Sequence, residues 1–377
     1  MNILFLTEYF PQSDKGEISG GVEARCFYLA KELSKNHKII VVTSWRKRQK
    51  RVNKIGTIIV ERVGPNHKYS NKGSIFSRLL FAIYAYKRAK IKKADVVDGF
   101  NFTTYIPAYF AAKKINAKKI ATYHETWVGE WIKNKGLITG LIGELLERIT
   151  LKLKWDLIIA VSNFTKEKLE QTSPELNKRV VYNGVMMNDF EKIKTTKDEG
   201  FRIVCVSRLI KTKRQETILK ALKELKDEEI TAVFVGDGDD KEYFKKRIKE
   251  FKLEKQVRFT GFLKTKEEVI KEIKKSHVLV HPSAVEGFGI TVIEGMAAGV
   301  PVICSDIEPL KEVTNNGLCG LIFKLDDYKE LAEKIKTLKN DKEKYEEMKE
   351  KGLKRAKEFE WKTIAKEYEK AIIKKSS

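Results

Sequence analysis

Residues 283–304 read SAVEGFGITVIEGMAAGVPVIC, and this stretch indicates the fold of the second half of the chain. A short apolar run precedes it, a glycine-rich loop opens it, and a run of helical character follows. We expect this helix to begin at Phe288 or Gly289 and to end near Ala298, before a strand at Val302–Cys304. A strand, a helix and a second strand in close succession are typical of a parallel α/β sheet.

The same alternation of short apolar runs and longer amphipathic runs continues along the whole chain. The predicted strands are Ile3–Leu6, Lys38–Thr43, Thr57–Val60, Asp95–Asp98, Lys119–Thr122, Asp156–Val161, Arg179–Tyr182, Phe201–Val206, Thr231–Val235, Val257–Thr260, Val278–Val280, Val302–Cys304 and Gly320–Phe323. Helical patterns between them include Val22–Leu33, Gln215–Leu225, Tyr243–Phe251 and Lys266–Lys275. The chain is therefore predicted to be an α/β protein with two Rossmann-like, doubly wound parallel sheets, in which ligands bind beyond the carboxyl ends of the strands.

A polar segment divides the two series of strands, and a chain of 377 residues is too long for one compact core. Residues 186–200 are rich in Lys, Thr, Asp and Glu, and we interpret them as a linker. The predicted domains are residues 1–185 and residues 201–358, which we expect to face each other across a cleft. Phe359-Glu360-Trp361 marks a predicted break in the helical run from Asp341 to Lys375.

Positive charge is concentrated in the first half of the chain. The formal net charge is +23, and residues 1–190 hold 33 Lys and Arg against 17 Asp and Glu, a surplus of 16. The remaining residues hold 42 against 35, a surplus of 7. This asymmetry favours an anionic partner, such as a membrane surface, a phosphorylated substrate or a nucleic acid. A solvated, Lys-rich surface without a partner would have the same composition.

Cysteine usage and hydropathy indicate a cytoplasmic protein. The four cysteines form no Cys-x-x-Cys pair, so we expect neither a disulfide framework nor a zinc site. The N-terminal apolar run is too short for a signal peptide. The longest charge-free run, between Asp98 and Lys113, has fourteen residues, whereas a spanning helix needs about 20. We therefore expect a soluble chain that can still lie on a membrane surface.

Two cations follow the first predicted strand of the second half. Arg208 and Lys213 lie five positions apart across a strand-to-helix turn. A helix N-terminus favours an anion, and two cations beside it could hold a pyrophosphate. The alternative is that both residues are ordinary surface cations.

Two carboxylates flank the glycine-rich turn of the opening stretch. Glu286 is predicted to precede the helix, and Glu294 to lie about one turn inside it. The free N–H groups of Phe288, Gly289 and Ile290 would lie between them. Because a carboxylate accepts two hydrogen bonds at once, each acid suits vicinal hydroxyls, such as those of a ribose or a sugar. The alternative is an exposed Glu286 and a Glu294 that caps its own helix.

The first half of the chain offers a glycine pair and a histidine. Gly20 and Gly21 follow the first strand and would let the backbone approach a phosphate. They do not form a Gly-x-Gly-x-x-Gly pattern, which disfavours a nicotinamide cofactor. His124 follows another strand, where its imidazole could bond a substrate hydroxyl. The alternatives are an ordinary turn and a structural histidine. A further turn, Gly236-Asp237-Gly238, is interpreted as structural.

Together these motifs resemble the retaining family 4 glycosyltransferases of GT-B fold, the group 1 glycosyl transferases, over nearly the whole chain. The run from Glu286 to Glu294 resembles the family's E-x7-E motif, and Arg208 with Lys213 resembles its Arg-x4-Lys clamp. Phe359-Glu360-Trp361 resembles the point where the family's last helix crosses back. The resemblance therefore implies that residues 359–377 form a helix that packs on the first domain.

The resemblance implies a hexosyltransferase that moves a sugar from a nucleotide-diphosphate sugar to a glycan or lipid-linked acceptor with retention of anomeric configuration. The implied catalytic residues are His124, Glu286, Arg208 and Lys213. The implied donor-binding residues are Gly20, Gly21, Arg208, Lys213, Gly261, Phe262, Glu286, Gly287, Phe288, Gly289, Ile290 and Glu294. Among these, the two cations and Gly21 would bind the diphosphate, Glu286 the sugar, Glu294 the ribose, and Gly261 with Phe262 the base. No metal and no cofactor is implied.

Three positions depart from the pattern of the family. Gly295 stands where Ala is usual after the second glutamate, and Arg214 stands where Gly is common. Asp98 ends its strand where many members carry His, which leaves acceptor recognition open.

Acceptors in this family are bound mainly by the first domain, where the positive charge is concentrated. Apolar pairs recur at helical spacing in residues 75–84, ahead of a basic run at residues 87–93, and residues 137–153 are also apolar with basic residues near their end. Such helices either lie on an anionic membrane or pack on the sheet. We expect peripheral association with the cytoplasmic face of a membrane.

Two other functions were considered. A nucleotide-sugar epimerase of GT-B-like fold would act without an acceptor. A nucleic-acid-binding protein would account for the charge, but no interleaving of aromatic and basic residues and no known binding module is found, so no nucleic-acid partner is expected.

Overall fold

The computed structural model describes residues 1–14, 18, 20–67, 75–226 and 228–373, except for the side chain of Lys135. The chain forms two compact units. One comprises Met1–Asn183 together with the C-terminal stretch from Trp361, and the other comprises Gly184–Glu360.

The first unit is built on an eight-stranded sheet with the strand order β3-β4-β2-β1-β5-β6-β7-β8. Its strands are β1 (Asn2–Leu6), β2 (Lys38–Trp45), β3 (Val52–Ile55), β4 (Ile58–Asn66), β5 (Val96–Gly99), β6 (Lys118–Tyr123), β7 (Leu157–Ala160) and β8 (Lys178–Val180). Its helices are α1 (Gly21–Leu33), α2 (Ile75–Ala89), α3 (Phe102–Ile115), α4 (Trp131–Lys135), α5 (Leu137–Lys152), α6 (Asn163–Thr172) and, at the C-terminus, α15 (Trp361–Ile373). All pairings are parallel except that of β3 with β4.

Helices cover both faces of this first sheet. Leu4 and Leu6 of β1 belong to a core that includes residues of α2 and α3. Phe5, which points to the opposite face, contacts Tyr368 of α15 with ring centroids 6.0 Å apart. The apolar runs of the central strands thus follow from burial on both faces, as in other doubly wound sheets.

The second unit repeats this plan with a six-stranded parallel sheet in the order β11-β10-β9-β12-β13-β14. Its strands are β9 (Phe201–Val206), β10 (Ile230–Val235), β11 (Val257–Gly261), β12 (Val278–His281), β13 (Val302–Ser305) and β14 (Leu321–Phe323). Its helices are α7 (Met187–Lys192), α8 (Gln215–Glu224), α9 (Lys241–Glu250), α10 (Lys266–Lys275), α11 (Ile290–Ala297), α12 (Glu308–Thr314), α13 (Tyr328–Asn340) and α14 (Lys342–Glu358), and Lys211–Lys213 form a short 3-10 turn. The predicted fold class, two parallel-sheet α/β domains, is confirmed.

The polar segment at residues 186–200 is not simply a linker. The unit boundary lies at Asn183 and Gly184, and the segment begins with α7, whose Met187 and Phe190 are buried. These two apolar residues anchor the start of the segment to the second unit, although its overall composition is polar. The chain returns from the second unit to the first between Glu360 and Trp361, inside the predicted break in the C-terminal helical run.

The C-terminal helix α15 belongs to the first unit. Trp361 stacks on Tyr28 of α1 with ring centroids 5.9 Å apart. The helix begins two residues later than the predicted range 359–377, and residues 374–377 lie outside the described part of the chain.

One strand was missed by the sequence analysis. β3 is four residues long, pairs antiparallel at the edge of the first sheet, and exposes Val52 to solvent. A short edge strand with one buried residue lacks the apolar run on which the prediction of strands depends.

Candidate functional site

The strand order of the second sheet places two chain segments side by side that are far apart in sequence. β10 and β11 lie on one side of β9, and β12 and the strands after it lie on the other. The sheet therefore has its topological switch point between β9 and β12, where open α/β sheets bind ligands beyond the carboxyl ends of the strands. Arg208 and Lys213 follow β9, and Glu286 follows β12.

The turn that carries Arg208 packs tightly against the turn after β10. Ser207 N donates to Val235 O at 3.0 Å. A Cβ atom on Gly236 would lie 2.2 Å from Ser207 O, and one on Gly238 would lie 2.3 Å from Leu209 O. Gly236 also has a φ of +133°, which favours glycine. This packing agrees with the structural role predicted for the Gly236-Asp237-Gly238 turn.

Arg208 presents its side chain to solvent at the end of this turn. No ion pair or side-chain hydrogen bond of its guanidinium is found within the described residues. Its backbone is held by Gln215, whose Nε2 donates to Arg208 O at 2.6 Å and to Ser207 Oγ at 2.8 Å. Gln215 is fully buried at the start of α8 and thereby fixes the position of the turn.

Lys213 and His281 both contact the carboxylate of Glu286. Lys213 Nζ lies 2.5 Å from Glu286 Oε1, and His281 Nε2 lies 2.6 Å from the same oxygen. Ala284 N donates to Thr212 O at 2.9 Å, so a backbone bond ties the 3-10 turn to the loop after β12. Both donors use Oε1, and none of the described residues is bound to Oε2.

The electrostatics of this cluster keep Glu286 ionised. Burial by itself raises the pKa of the carboxyl, but the charges of Lys213 and His281 and their hydrogen bonds outweigh burial and hold the pKa well below its usual range. An ionised carboxylate can only accept hydrogen bonds, so His281 carries its proton on Nε2. Lys213 and Glu286, expected at opposite ends of a ligand, are thus in direct contact.

The backbone after Glu286 turns sharply into α11. Gly289 has a φ of +109°, and a Cβ atom there would lie 2.6 Å from Leu310 Cδ2. The helix begins at Ile290, one to two residues later than predicted. Val292 N donates to Gly289 O at 3.0 Å, so the N–H groups of Ile290 and Thr291 are the ones left without a partner within the helix. The Phe288 side chain is buried against Phe359, with ring centroids 5.6 Å apart, so only its backbone is available to a ligand.

Glu294 lies on the second turn of α11 in a less polar setting than Glu286. Its Oε1 lies 3.6 Å from Lys266 Nζ. Burial raises the pKa of Glu294, and the Lys266 charge offsets only part of this rise. Glu294 lies inside the helix and does not cap it, because the N-cap is Gly289. Lys266 is the cation nearest to its carboxyl, so this carboxyl has few hydrogen-bond donors.

Gly261 and Phe262 lie at the end of β11. Gly261 has a φ of +73°, and its carbonyl accepts from Gly236 N at 3.0 Å. The Phe262 ring is 53% exposed. An exposed ring at the carboxyl edge of the sheet offers a face on which a planar group can stack.

The remaining predicted site residues belong to the first unit. Gly20 is the N-cap of α1 in extended conformation, and Gly21 is the first residue of that helix. His124 follows β6, where burial and the nearby Arg25 guanidinium lower its pKa to about 3. The imidazole is therefore neutral at physiological pH, and its Nε2 has no hydrogen-bond partner in the described part of the chain.

Asp98, noted as a departure from the family pattern, lies in the core of the first unit. Its Oδ2 accepts from Thr122 Oγ1 and from Tyr368 OH, each at 2.8 Å, and its side chain is fully buried. Asp98 thus joins α15 to the sheet and does not reach a surface where an acceptor could bind.

The sequence analysis missed His281, Gln215 and Lys266 as site residues. His281 ends its strand directly before the loop of Glu286, and that position was the available signal. Gln215 and Lys266 lie on helices whose polar residues have no distinguishing pattern, so only the three-dimensional contacts identify them.

No metal centre or membrane span is found in the described part of the chain. Its residues include no group of three or more His, Cys, Asp or Glu side chains that could hold a metal ion. None of its helices is both long enough and apolar enough to cross a bilayer. Three of the four cysteines are buried, and all four are free.

Two family models match consecutive halves of the chain. The model of glycosyltransferase family 4 matches residues 19–188, and the model of the group 1 glycosyl transferases matches residues 187–355. Together the matches run without a gap from residue 19 to residue 355.

Relatives with similar sequences carry glycosyltransferase names. A glycosyltransferase of Methanocaldococcus jannaschii is 31% identical over 210 residues, which are 55% of this chain and 56% of that protein. The O-antigen biosynthesis glycosyltransferase WclY of Escherichia coli is 28% identical over 53% of this chain and 57% of its own length. A Campylobacter jejuni enzyme, a diphospho-undecaprenol N-acetylgalactosaminyltransferase, is 28% identical over 58% of this chain and 60% of its own length. The chain thus spans little more than half the length of these relatives.

Solved structures share the fold at low sequence identity. Sucrose-phosphate synthase from Thermosynechococcus elongatus superposes with a TM-score of 0.84 at 18% identity, over 98% of this chain and 97% of that one. HepE from Anabaena in complex with UDP-glucose superposes with a TM-score of 0.76 at 20% identity, over 99% of both chains. These likenesses show that the chain has the GT-B fold.

Proposed function

Because this chain belongs to the family 4, group 1 glycosyltransferases, we propose that it transfers a sugar from a nucleotide-diphosphate sugar to a glycan or lipid-linked acceptor. The names of relatives support this substrate class: one acts in O-antigen biosynthesis, and another acts on a diphospho-undecaprenol acceptor. The Anabaena structure with UDP-glucose supports a nucleotide-sugar donor.

The observation that carries the proposal is the cluster of Lys213, His281 and Glu286 beside Arg208 at the switch point of the second sheet. Arg208 and Lys213 bind the diphosphate of the donor. Glu286 accepts a hydrogen bond from a sugar hydroxyl on Oε2, because the hydrogen bonds from Lys213 and His281 both go to Oε1. The cluster therefore matches a ligand with phosphates at one end and hydroxyls at the other.

The other predicted donor residues complete this assignment. Glu294 binds the ribose, because its buried carboxyl has few donors of its own and two hydroxyls would supply them. The first N–H groups of α11 and the backbone of Gly287, Phe288 and Gly289 bind the sugar. Gly261 and the exposed Phe262 ring bind the base, and Gly20 and Gly21 assist with the diphosphate.

The reaction breaks the bond between the anomeric carbon of the sugar and the diphosphate oxygen. The acceptor hydroxyl oxygen bonds to the anomeric carbon from the same face, and its proton passes to the leaving diphosphate oxygen. Negative charge grows on the leaving diphosphate, and Arg208 with Lys213 stabilises it. Glu286 is held ionised, so it orients the sugar and donates no proton. The neutral His124 imidazole hydrogen-bonds the sugar near the reacting centre. In this proposal, attack from the same face retains the anomeric configuration, and the two cations take the place of a metal ion.

We also place the enzyme at the cytoplasmic face of a membrane. Helix α2 buries Phe81, Ala85 and Ala89 but exposes Phe76 and Leu79. The predicted apolar face is thus only partly used for packing on the sheet. The exposed part of this face, with Phe76 and Leu79, favours peripheral association with anionic lipids, and so does the positive charge of the first half of the chain.

The experiment that tests the proposal is a thermal-shift screen against nucleoside diphosphates and their sugars, since a ligand that binds the folded state raises its stability. A shift with one nucleotide series identifies the donor. Transfer is then measured with lipid-linked or glycan acceptors, with and without EDTA, and NMR of the product reports the anomeric configuration.

The outcomes separate the proposal from its rivals. Transfer that survives EDTA with retention is the expected result. Release of an altered sugar without an acceptor would instead indicate an epimerase. Binding of nucleic acid with no nucleotide-sugar shift would overturn the assignment.

A further inference from the structure

Helix α5 is packed with its small residues inward. Gly140 and Gly143 lie against α4, where a Cβ atom on Gly140 would be 2.5 Å from Ile132 Cα and one on Gly143 would be 2.3 Å from the Trp131 ring. Neither contact leaves room for any side chain. The two helices therefore form one closely packed hairpin, and the buried face of α5 is made largely of glycine and polar residues.

A buried glutamate joins this hairpin to the segment that follows β6. Glu147 accepts from Trp131 Nε1 at 2.5 Å and from Trp127 N at 3.2 Å. Trp127 is three residues after His124. These hydrogen bonds connect the hairpin to the segment that follows the strand end at which His124 lies.

The outward face of α5 is apolar. Residues at helical spacing share this face: Leu137, Ile138, Leu141, Ile142, Leu145 and Ile149, all exposed. Exposure reaches 76% for Ile138 and 61% for Leu145. A globular helix normally turns such a stripe towards the core, and a contiguous exposed apolar patch of this kind marks an interaction surface.

The charges around this face are predominantly positive. Lys133, Lys152 and Lys154 are exposed and have no acidic partner among the described residues. Glu144 is engaged by Arg148 at 2.7 Å, and Glu147 is buried. Two copies that met through this face would bring their lysines together without acids to neutralise them, whereas an anionic bilayer attracts them.

We propose that the outward face of α5 inserts into the interface of an anionic lipid bilayer. Interfacial helices place their apolar face about 5–10 Å into the boundary between headgroups and acyl chains, with cations at the rim. The bonds of Glu147 join this helix to the segment that begins after His124. Where the proposed function holds, a bilayer bound at α5 presents a lipid-linked acceptor to the unit that carries His124.

The test is flotation with vesicles of equal parts phosphatidylglycerol and phosphatidylcholine, and with phosphatidylcholine alone, at about 0.1 M and about 1 M salt. The triple variant Ile138→Gln, Leu141→Gln, Leu145→Gln is compared with Tyr243→Gln, Leu318→Gln, which changes exposed apolar residues of the second unit. We expect the wild type and the control to float with anionic vesicles at low salt, and the triple variant to bind at least about tenfold more weakly.

The thermal midpoint and the nucleotide-induced thermal shift of the triple variant should stay unchanged, because the substituted residues face solvent. This separates a failure of docking from a failure of the proposed donor site. No flotation of the wild type at low salt, or equal flotation of the triple variant, overturns the proposal. A wild-type dimer that the triple variant abolishes, without vesicle binding, would show that a second copy covers the face.

Discussion

Lys213 Nζ lies 2.5 Å from Oε1 of Glu286, so the predicted diphosphate clamp and the predicted sugar-binding acid form one ion pair. The pair orients both groups before a ligand arrives. Glu286 neutralises much of the charge on Lys213, whereas Arg208 has no acidic partner among the described residues. Arg208 and Lys213 are therefore not equivalent, although the sequence motif gave no reason to distinguish them.

Lys213→Ala should weaken binding of the nucleoside diphosphate. The variant removes a cation and leaves Glu286 with His281 alone, so an anionic ligand meets an uncompensated carboxylate. A hydrogen bond to a charged group contributes about 1.5–3 kcal/mol, which corresponds to roughly a tenfold to hundredfold rise in Kd. Isothermal titration calorimetry measures the change. Lys211→Ala, an exposed lysine of the same turn, is the control, and an equal loss in both variants would argue against a specific clamp.

Gly295→Ala should destabilise the second unit. A Cβ atom on Gly295 would lie 2.8 Å from Val302 Cγ1 and 3.0 Å from Leu279 Cδ1, both in the core. Overpacking of this kind costs about 1–3 kcal/mol, and the gain in helix propensity of about 1 kcal/mol offsets part of it. The thermal midpoint should therefore fall.

The matched control for this substitution is Gly352→Ala. Its nearest contact would be the flexible Met296 Cγ at 3.3 Å, and the same helix-propensity gain applies. Its midpoint should hold or rise. Equal effects of the two substitutions would show that the contact at Val302 does not decide the preference for Gly295.

Arg214→Gly should be neutral or stabilising. Arg214 has a φ of +51°, which costs a residue with a Cβ about 1 kcal/mol or more relative to glycine. Its ion pair with Asp326, at 3.3 Å between half-exposed groups, contributes little. Arg214→Ala removes the pair and keeps the strain, so it should unfold at a lower temperature than Arg214→Gly. The opposite order would contradict this explanation.

Stability should decline between about pH 4 and pH 7 because of Asp98. Burial raises the pKa of Asp98 to about 7, although hydrogen bonds from Tyr368 and Thr122 oppose the rise. The folded state therefore holds a proton that the unfolded chain has already lost, so unfolding becomes easier as the pH rises towards 7. Asp98→Asn should flatten the dependence of thermal midpoint on pH, and Asp14→Asn should not. An unchanged slope in Asp98→Asn would refute the assignment.

The elements that bury apolar runs could be predicted from the sequence, and the contacts between them could not. β9 and β12 were recognised because both are short and apolar. The apolar runs of the sequence do not specify the strand order, so they do not show that β9 and β12 are neighbours. The contact of Lys213 with Glu286 follows from this neighbouring position. The start of α11 was placed too early because the left-handed Gly289 cannot be read from composition. β3 has too few buried residues to form a pattern.

The departures from the family pattern have physical explanations that only the coordinates supply. Gly295 fits because Val302 and Leu279 fill the space of a methyl group. Arg214 occupies a left-handed position, which is where glycine is favoured. Asp98 is a core residue bonded to Tyr368, a contact across 270 positions of sequence.

The most direct test of the account is the affinity of wild type and Arg208→Ala for the nucleoside diphosphate found in the donor screen, measured by isothermal titration calorimetry. Arg208 has no acidic partner among the described residues, so its loss should raise Kd by about tenfold or more. Lys324→Ala, which changes an exposed lysine elsewhere in the unit, should bind like wild type. Equal affinity in Arg208→Ala, or no binding of any nucleoside diphosphate by the wild type, would contradict the assignment of this site to a nucleotide-sugar donor.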